Sequence, residues 1–510
     1  MDIQTKNVET ASLIQQGFGH LLGMWDFQAY RFFLEALKQE PQSLMATTGV
    51  ALCLAGAEVH LSPQREVATK QLDTLLKAPQ GTTFEKKFAE ATLKLTQGDI
   101  SGWTDDLKDL AEEKGKGWQI PALFYNLFAR DGFTVLGEPR YLQKKSITAL
   151  KELCNKEPKS PACLSLFVAA QIENPNTRDV YEKRLVLPTA RKLVRLHPNY
   201  PYYQLLLGHC ELKCGEPFLS AKAYKKAISL YTRFLTQDKI SIRNCRQLID
   251  AKLGLISAYI IGNNLADARM AVNDLLETRM PSTHKSSQVA AAIRWEGQSL
   301  PIRMACFQND TLAMTVEANR IEQSMEGVSL KERSLSDHFL VALETYARTR
   351  IALEEKNQRE AGKQLERFIF AGAQILNSGS QAVASNEAVY WERGNLLISI
   401  LEDELKARFE MSDAKVEKVN VISKITAAID KQSILGNLMP PIWLTPMELI
   451  KADFLASIGL YEEALVAYDQ AYCRQPNHIR TTEGLASTLE ALGRNTEAQE
   501  TREKLQKLKR

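Results

Sequence analysis

Apolar side chains recur three and four positions apart along almost the whole chain. This spacing places them on one face of an α-helix, whereas alternating runs of Val, Ile and Thr, typical of β-strands, are short and rare. Leu, Ala, Glu, Lys and Gln, which favour helices, are abundant. Proline and glycine interrupt the pattern about every 12–20 residues. The pattern therefore predicts an all-α protein of many medium-length helices joined by short turns.

The C-terminal segment carries a repeat of residue types in addition to the helical period. Its first copy comprises Ala452, Leu455, Gly459, Tyr461, Ala464, Tyr468, Ala471 and Pro476. In a second copy, Ala486, Leu489, Gly493 and Ala498 lie 34 residues beyond Ala452, Leu455, Gly459 and Ala464. The pattern resembles the tetratricopeptide repeat (TPR), a helix–turn–helix unit of about 34 residues.

The residue types at these positions have physical reasons. Small residues such as Ala452 and Ala464 let the two helices of a hairpin approach closely, and large ones such as Tyr468 fill the space between hairpins. Gly459 permits the tight turn, and Pro476 ends the second helix. Each hairpin leaves one face bare, so hairpins must stack. The resemblance implies a right-handed TPR-like helical-hairpin superhelix, an α-solenoid, with a concave groove lined by first helices.

Two further matches lie earlier in the chain. Near the N-terminus, the pattern's glycine, alanine, aromatic, alanine and proline positions are held by Gly17, Ala29, Phe33, Ala36 and Pro41. The turn departs from the pattern, because its glycine, Gly23, comes one place early. In mid-chain the expected spacings are held by Leu207, Gly208, Gly215, Tyr224 and Ala227. The opening unit resembles that of bacterial TPR proteins, which implies a bacterial source.

Between these matches the repeat pattern decays, which divides the chain into three predicted parts. Residues 1–275 form an N-terminal TPR-like array, 276–440 a region of longer helices, and 441–510 the final repeats with a polar capping helix. Degenerate TPR-like hairpins are the first interpretation of the central region, and an unrelated helical insert is the second. Long helices are expected over 335–355 and 386–412. The two prolines after Met439 mark the clearest boundary.

Composition and charge narrow the function. The 510 residues are 45% hydrophobic and 25% charged, which excludes a disordered chain. Basic and acidic residues number 64 and 61, a formal charge of +3, and no basic block stands out. Nucleic-acid binders of this size usually show a basic excess or patch, so no nucleic-acid partner is expected.

Motifs for catalysis and for metals are missing. The sequence holds no phosphate-binding glycine loop, no His-Glu-x-x-His metal helix and no nucleophile elbow. No pair of its 7 histidines is spaced three or four residues apart. Cys210 and Cys214 could share a helix face near His209, but no second ligand pair follows, so they are interpreted as buried thiols. We expect no enzyme activity, no metal and no cofactor.

The groove of the implied superhelix supplies the candidate binding residues. Counting out the first helix of two hairpins places Tyr202, His209 and Lys213 in one groove segment. It places Arg480, Glu483 and Glu490 in another. The Lys/Asn set with which some TPR proteins clamp a C-terminal carboxylate does not occur at these positions. The predicted function is a non-catalytic scaffold or adaptor that binds a peptide or partner protein in the groove.

Two alternatives remain open at this point. One is a ligand-binding or enzymatic helical protein with a pocket in residues 280–440. The other is a structural subunit that self-associates through its own ends. Trp25, Phe27 and Phe33 form an aromatic cluster that is interpreted as packing between hairpins rather than as an exposed docking patch.

The sequence also bears on the compartment. No apolar run reaches the roughly 18 residues of a membrane helix, and the first residues do not resemble a signal peptide. We therefore expect a cytoplasmic protein without a membrane span. A periplasmic or exported protein is the alternative, if a signal peptide was removed before Met1.

Overall fold

The structure is a computed structural model, and it describes most of the chain. The described residues are 3–55, 62–112, 143–172, 180–237, 245–278, 288–384, 387–411, 417–435 and 439–509. All regular secondary structure in these ranges is helical. This confirms the predicted all-α fold class of TPR-like helical hairpins.

The helices are numbered here in chain order. Helices α1 to α8 are Val8–Leu22, Asp26–Gln39, Leu44–Ala55, Ser62–Leu76, Thr83–Thr96, Ile100–Glu112, Gln143–Lys156 and Pro161–Ile172. Helices α9 to α17 are Val180–Leu196, Pro201–Lys213, Pro217–Gln237, Arg246–Ile261, Leu265–Leu276, Gln288–Ala292, Leu300–Gln308, Thr311–Ser324 and Leu335–Glu354. Helices α18 to α25 are Gln358–Leu376, Gly379–Ala384, Ala388–Met411, Lys418–Leu435, Met447–Ser457, Tyr461–Arg474, Ile479–Ala491 and Asn495–Lys509.

By the contacts between its helices the chain forms two compact units. The described parts of residues 1–134, 139–174 and 189–206 belong to the first unit, and those of 175–188 and 207–510 to the second. Within both units, consecutive helices pair as hairpins, for example α1 with α2, α5 with α6, α17 with α18 and α22 with α23. The three-part division into 1–275, 276–440 and 441–510 stays a prediction.

An aromatic ring inserted between small residues joins successive hairpins. In the first unit, Phe33 of α2 lies against Gly17 of α1 and Gly49 of α3. A Cβ added to either glycine would be 2.6 Å or 2.4 Å from the ring. In the second unit, Tyr224 of α11 lies in the same way between Gly208 and Gly254. Each ring therefore fixes the distance between two neighbouring first helices.

In the last repeat an aromatic ring is again inserted between two small residues, but one of them is alanine instead of glycine. Tyr468 of α23 lies 16 residues after Ala452 and 16 before Gly484, where an added Cβ would be 2.3 Å from the ring. The small residues predicted to line helix crossings are buried. These are Ala29, Ala36, Ala227, Ala452, Ala464, Ala471 and Ala498.

The turns inside hairpins need a left-handed residue. Gly215, Gly459 and Gly493 supply it, with φ of +78°, +80° and +74°. In the first hairpin the early Gly23 has φ −83°, and Met24 takes the left-handed conformation at φ +56°. The backbone of this turn therefore has the same left-handed position as the other turns. Here that position is held by Met24, for which the conformation is less favourable than for glycine.

Hairpins continue through the central region, where the repeat pattern is weak. Helices α15 and α16, α17 and α18, and α20 and α21 pair with one another. The helix predicted over 335–355 is α17, and the one predicted over 386–412 is α20, although residues 386 and 412 lie outside the described ranges. A π-helical turn, Ile293–Gly297, follows α14. It places Trp295 where a Cβ added to Gly394 would be 2.7 Å away.

Among the described residues, none of the helices combines the length and the apolar character that crossing a membrane requires.

Two glycine substitutions test the role of the inserted rings. Alanine favours helix over glycine by up to about 1 kcal/mol. Gly362→Ala should therefore raise the free energy of unfolding by about 0.5–1 kcal/mol, because the nearest side chain, Phe409, is 3.7 Å away. Gly484→Ala should lower it by about 1 kcal/mol or more, since the buried Tyr468 ring cannot yield. Urea unfolding of both variants measures the two changes in the free energy of unfolding. Changes of the same sign would contradict the proposed role of the inserted ring.

Candidate functional site

The interior of the second unit contains a non-helical segment of the chain itself. Residues 439–446, here called the proline loop, read Met-Pro-Pro-Ile-Trp-Leu-Thr-Pro and follow α21 with only three residues between. Its Met439–Pro440 peptide bond is cis. Trp443 is 7% exposed and meets the ring of Tyr346 edge-on, with centroids 5.5 Å apart. The loop, at which the sequence places a boundary, packs inside the second unit.

Side chains from other helices hold the proline loop by its backbone. Arg393 of α20 donates to the carbonyl of Pro440 at 2.8 Å, and Arg303 of α15 donates to the carbonyl of Ile442. Gln432 of α21 donates to the carbonyl of Thr445 at 2.8 Å and accepts from the backbone N–H of Met447 at 2.7 Å. These contacts satisfy backbone groups of the loop that are removed from water.

The two arginines are in turn held by Glu296, which is 2% exposed. Arg393 donates to its carboxylate at 2.7 Å, and Arg303 donates to its backbone carbonyl at 3.0 Å. Burial lowers the pKa of Arg303 to about 10, against the opposing effect of Glu296, so the guanidinium remains charged at neutral pH. Glu296 lies on the π-helical turn. The neighbouring Trp295 donates its indole N–H to Glu387 at 3.1 Å.

A second buried charge cluster is centred on Glu404 of α20. Tyr346 donates to its carboxylate at 2.8 Å and Arg408 at 2.7 Å, while Arg350 lies 5.7 Å from the centre of the Tyr346 ring. Burial opposes the ionised form of Glu404, but Arg408 and Arg350 hold its pKa below the ordinary value. Buried charges of this kind tolerate desolvation only when they are paired.

The two ends of the helical array in the second unit touch one another. The turn glycine Gly215 lies against Pro476, and the Asn477 amide donates to the Gly215 carbonyl at 2.6 Å. Nearby, Phe307 of α15 meets the His478 ring edge-on at 5.1 Å. Gly215 and Pro476, identified as members of separate repeats, are thus direct neighbours.

A cavity of about 600 Å³ opens beside the proline loop. The ends of α10 and α12, together with α21, α22, α23 and the loop, form its wall. Lys213, Lys451 and Arg474 line it with positive charge, and Asp430, Glu448 and Asp469 with negative charge. Its volume falls in the range of roughly 300–1,000 Å³ that is usual for binding pockets.

The hydrogen bonding of the cavity wall is incomplete. Arg474 donates to Glu448 from its Nε, at 2.8 Å and 2.7 Å, and from a terminal guanidinium nitrogen, at 2.5 Å. The indole N–H of Trp443 and the side-chain amide of Gln475 are buried and have no acceptor among the described residues. A buried donor without an acceptor is unfavourable, by about 1–3 kcal/mol. A ligand with carbonyl or carboxylate oxygens would remove this cost.

The structure separates the six predicted groove residues. Lys213 lines the cavity. Tyr202 and His209 are buried, so the expectation that they form an exposed groove wall is corrected. His209 follows the small residue Gly208, and this register points its imidazole at Tyr224, whose hydroxyl is 2.6 Å away. Phe18 and Asp453 occupy the same register and contact Phe33 and Tyr468.

The other three predicted residues lie in the last two helices. Arg480 donates to Asp453 at 3.2 Å, which joins α24 to α22. Glu490 pairs with Arg502 on an exposed surface, and Glu483 is half-buried. None of the three lines the cavity. Of the six residues, Lys213 lines the cavity, and a binding role for all six stays a prediction.

Sequence reasoning did not identify the arginines that bind the proline loop. Arg303 stands in the run Leu-Pro-Ile-Arg-Met-Ala-Cys-Phe, a charge among apolar residues of a helix that is buried nearly all round. A charged residue at a buried position needs a partner, so this pattern could have indicated it. Glu296, in the run Arg-Trp-Glu-Gly, gives no comparable signal because the π-helical turn sets its direction.

Within the described residues, no group of three or more His, Cys, Asp or Glu side chains is arranged to hold a metal ion. Cys210 and Cys214 are both buried.

No protein-family model matches the sequence, and neither does any curated protein. Among solved structures, the chain is similar to a monomeric IFIT1 mutant with Gppp-AAAA, at 13% identity and TM-score 0.37, over 99% of this chain and 96% of that one. It is also similar to the Cut9–Hcn1 hetero-tetramer of the APC/C (10% identity, 94% and 90% covered, TM-score 0.29). A third similar structure is the TPR domain of P58(IPK), at 13% identity and TM-score 0.21, over 96% of this chain and 99% of that one. Similarity at this level says nothing about what the chain binds.

Removal of Arg393 tests the buried network. Arg393→Met leaves the Glu296 carboxylate with the more distant Arg246, 3.9 Å away, and frees the Pro440 carbonyl. We expect a loss of about 3 kcal/mol in the free energy of unfolding. Urea unfolding measures this loss. As a control, Arg359→Met at an exposed arginine should change the free energy of unfolding by no more than about 0.5 kcal/mol. Adding Glu296→Leu to Arg393→Met should recover part of the loss, and the pairing is contradicted if Arg393→Met costs no more than the control and Glu296→Leu recovers nothing.

His478 makes the stability depend on pH. Burial lowers its pKa from 6.5 to about 3, and the neutral ring accepts from the backbone N–H of Thr481 at 3.2 Å. Between about pH 6.5 and pH 3 the unfolded chain binds a proton here that the folded chain does not, so stability falls as pH falls. His478→Asn keeps a helix-capping side chain and should flatten this dependence. Thermal unfolding across the window measures it, and an unchanged slope would contradict the assignment.

Proposed function

We propose that this chain is a TPR-type interaction scaffold that binds an extended peptide segment of a partner protein in the cavity of its second unit. One observation carries the proposal. The interior of that unit binds a non-helical, proline-containing segment by its backbone carbonyls, through Arg303, Arg393 and Gln432. The cavity adjoins this segment, so a partner peptide would lie next to side chains that already bind peptide carbonyls.

The wall of the cavity supports a peptide rather than a single charged ligand. Positive and negative side chains line it in equal number, so neither an anion nor a cation is selected by charge alone. The unpaired N–H groups of Trp443 and Gln475 suit the carbonyl oxygens of a peptide backbone. Apolar side chains, among them Ile261, Leu444 and Val466, offer contacts to the peptide's side chains.

The alternatives from the sequence stay predictions, and each has a distinct experimental result. A self-associating subunit would present its cavity to a second copy of the chain. A ligand-binding or enzymatic protein would retain a small molecule near residues 280–440. The bacterial source and the cytoplasmic location also stay predictions.

Site-specific photo-cross-linking tests the proposal. A photoreactive amino acid replaces Gln470, which is exposed at the cavity wall, and the protein is irradiated in lysate of its native cells. We expect cross-links to one short segment of another protein, mapped by mass spectrometry. A synthetic peptide of that segment should compete, and Lys213→Glu should reduce the yield about tenfold.

Gln499 provides the matched control, since it is an exposed glutamine of α25 that does not line the cavity. Equal yields at the two positions would contradict binding in the cavity. Cross-links found only between copies of this chain would replace the proposal by self-association.

A further inference from the structure

A second pocket in the second unit lies apart from the cavity described above. It has a volume of about 400 Å³ and lies between α17, α18 and the loop before α17. It shares no lining residue with the cavity beside the proline loop. Along α17 its wall comprises His338, Val341 and Thr345, which fall on one face by their spacing. Along α18 the wall includes four residues that also lie on one helix face by their spacing: Lys363, Arg367, Phe370 and Gln374.

The pocket carries an excess of positive charge. Arg333, Lys363 and Arg367 line it, against a single acidic lining residue, Glu366. Lys363 contacts Glu360 only at 4.0 Å on an exposed surface, where such a pair contributes little. Arg367 donates to Gln364 at 3.0 Å and lies 3.9 Å from the Glu344 carboxylate, so Arg333 and Lys363 carry most of the charge that an anionic partner could bind.

Two polar groups of the pocket have no hydrogen-bond partner in the part of the chain that the structure describes. One is the Nε–H of Arg333, which is buried there without an acceptor. The His338 side chain is 9% exposed, and no hydrogen bond joins its imidazole to the described residues. The pKa of His338 is lowered mainly by burial and also by the positive charge of the neighbouring Arg333. The ring is therefore neutral at pH 7 and keeps one donor and one acceptor nitrogen. An oxyanion placed here would satisfy donors that the folded chain leaves unused.

Large apolar side chains lie exposed beside the cations. Phe370 is 54% exposed and Leu330 is 52% exposed, and both line the pocket. Exposed apolar groups rimmed by charged residues are typical of interaction sites. A partner must therefore combine anionic and apolar groups within a few residues, which a peptide does and a free inorganic anion does not. Glu366 amid the cations disfavours a continuous phosphate backbone.

We infer that this pocket is a docking site for an acidic amphipathic peptide of a partner protein. A carboxylate of the peptide is held by Arg333, Lys363 and Arg367, and an aliphatic or aromatic side chain covers Phe370 and Leu330. Guanidinium groups bind carboxylates through paired, planar hydrogen bonds, which gives the contact its geometry. The site is independent of the proposed peptide cavity, so the chain would hold two segments at separate places.

Fluorescence anisotropy of the full chain tests this inference. The probe is a short fluorescein-labelled peptide in which Asp and Glu alternate with Leu and Phe. The comparison peptide has Asn and Gln at the acidic positions. We expect the acidic peptide to bind and the neutral one to bind at least tenfold more weakly. Lys363→Glu should weaken binding of the acidic peptide about tenfold, which corresponds to about 1.4 kcal/mol. Phe370→Ser should weaken it also.

Lys418→Glu is the matched control, because it makes the same charge change at an exposed residue of α21 outside both pockets. It should leave the affinity within about twofold, as should Lys451→Glu in the other cavity. Circular dichroism and thermal unfolding establish that each variant folds. Equal weakening by Lys363→Glu and Lys418→Glu would overturn the inference, as would displacement of the peptide by inorganic phosphate at matched ionic strength. Weakening by Lys451→Glu alone would assign the peptide to the other cavity.

Discussion

The insertion of one aromatic ring between the small residues of two neighbouring first helices determines how the hairpins stack. Phe33, Tyr224 and Tyr468 each occupy such a slot, and a single added Cβ on the facing glycine would enter the ring. Protein interiors are packed as densely as organic crystals, so this contact fixes the distance between helices to a few tenths of an ångström. The ring also selects the residue that follows the small one in the first helix. That residue becomes a partner of the ring, as His209 and Asp453 do through hydrogen bonds.

Stacking of many hairpins gives the second unit an interior with buried charges, which a single hairpin does not have. Its first turn meets its last repeat at Gly215 and Pro476. Charged side chains in the interior of the unit are removed from water and must find partners there. Glu296 with Arg393, and Glu404 with Arg408, are the result. The proline loop adds a carbonyl partner for Arg393, at Pro440, and for Arg303, at Ile442.

Two surfaces of the second unit then differ in the partner chemistry that they favour. The cavity beside the proline loop has equal numbers of positive and negative lining side chains and adjoins a segment held by its backbone carbonyls. The pocket of α17 and α18 is basic and bordered by exposed apolar side chains.

The sequence by itself determined the local architecture. The helical period, the helix propensities and the positions of glycine and proline were enough to predict an all-α chain of hairpins, and the residue types at Ala452, Gly459 and Tyr468 were enough to predict TPR-like hairpins there. These features act within about 34 residues. The turn at Met24 was beyond such reasoning in detail, yet the hairpin formed where the pattern placed it.

Only the tertiary structure decided which side chains form the sites. Lys213 reaches the cavity wall, while Tyr202 and His209, counted to the same helix face, are buried. The physical reason is distance along the chain. Arg393 and Pro440 are 47 residues apart, and Asn477 and Gly215 are 262 residues apart. Such contacts depend on the accumulated rotation of many hairpins and on the turn made by Ile293–Gly297, neither of which a repeat pattern specifies.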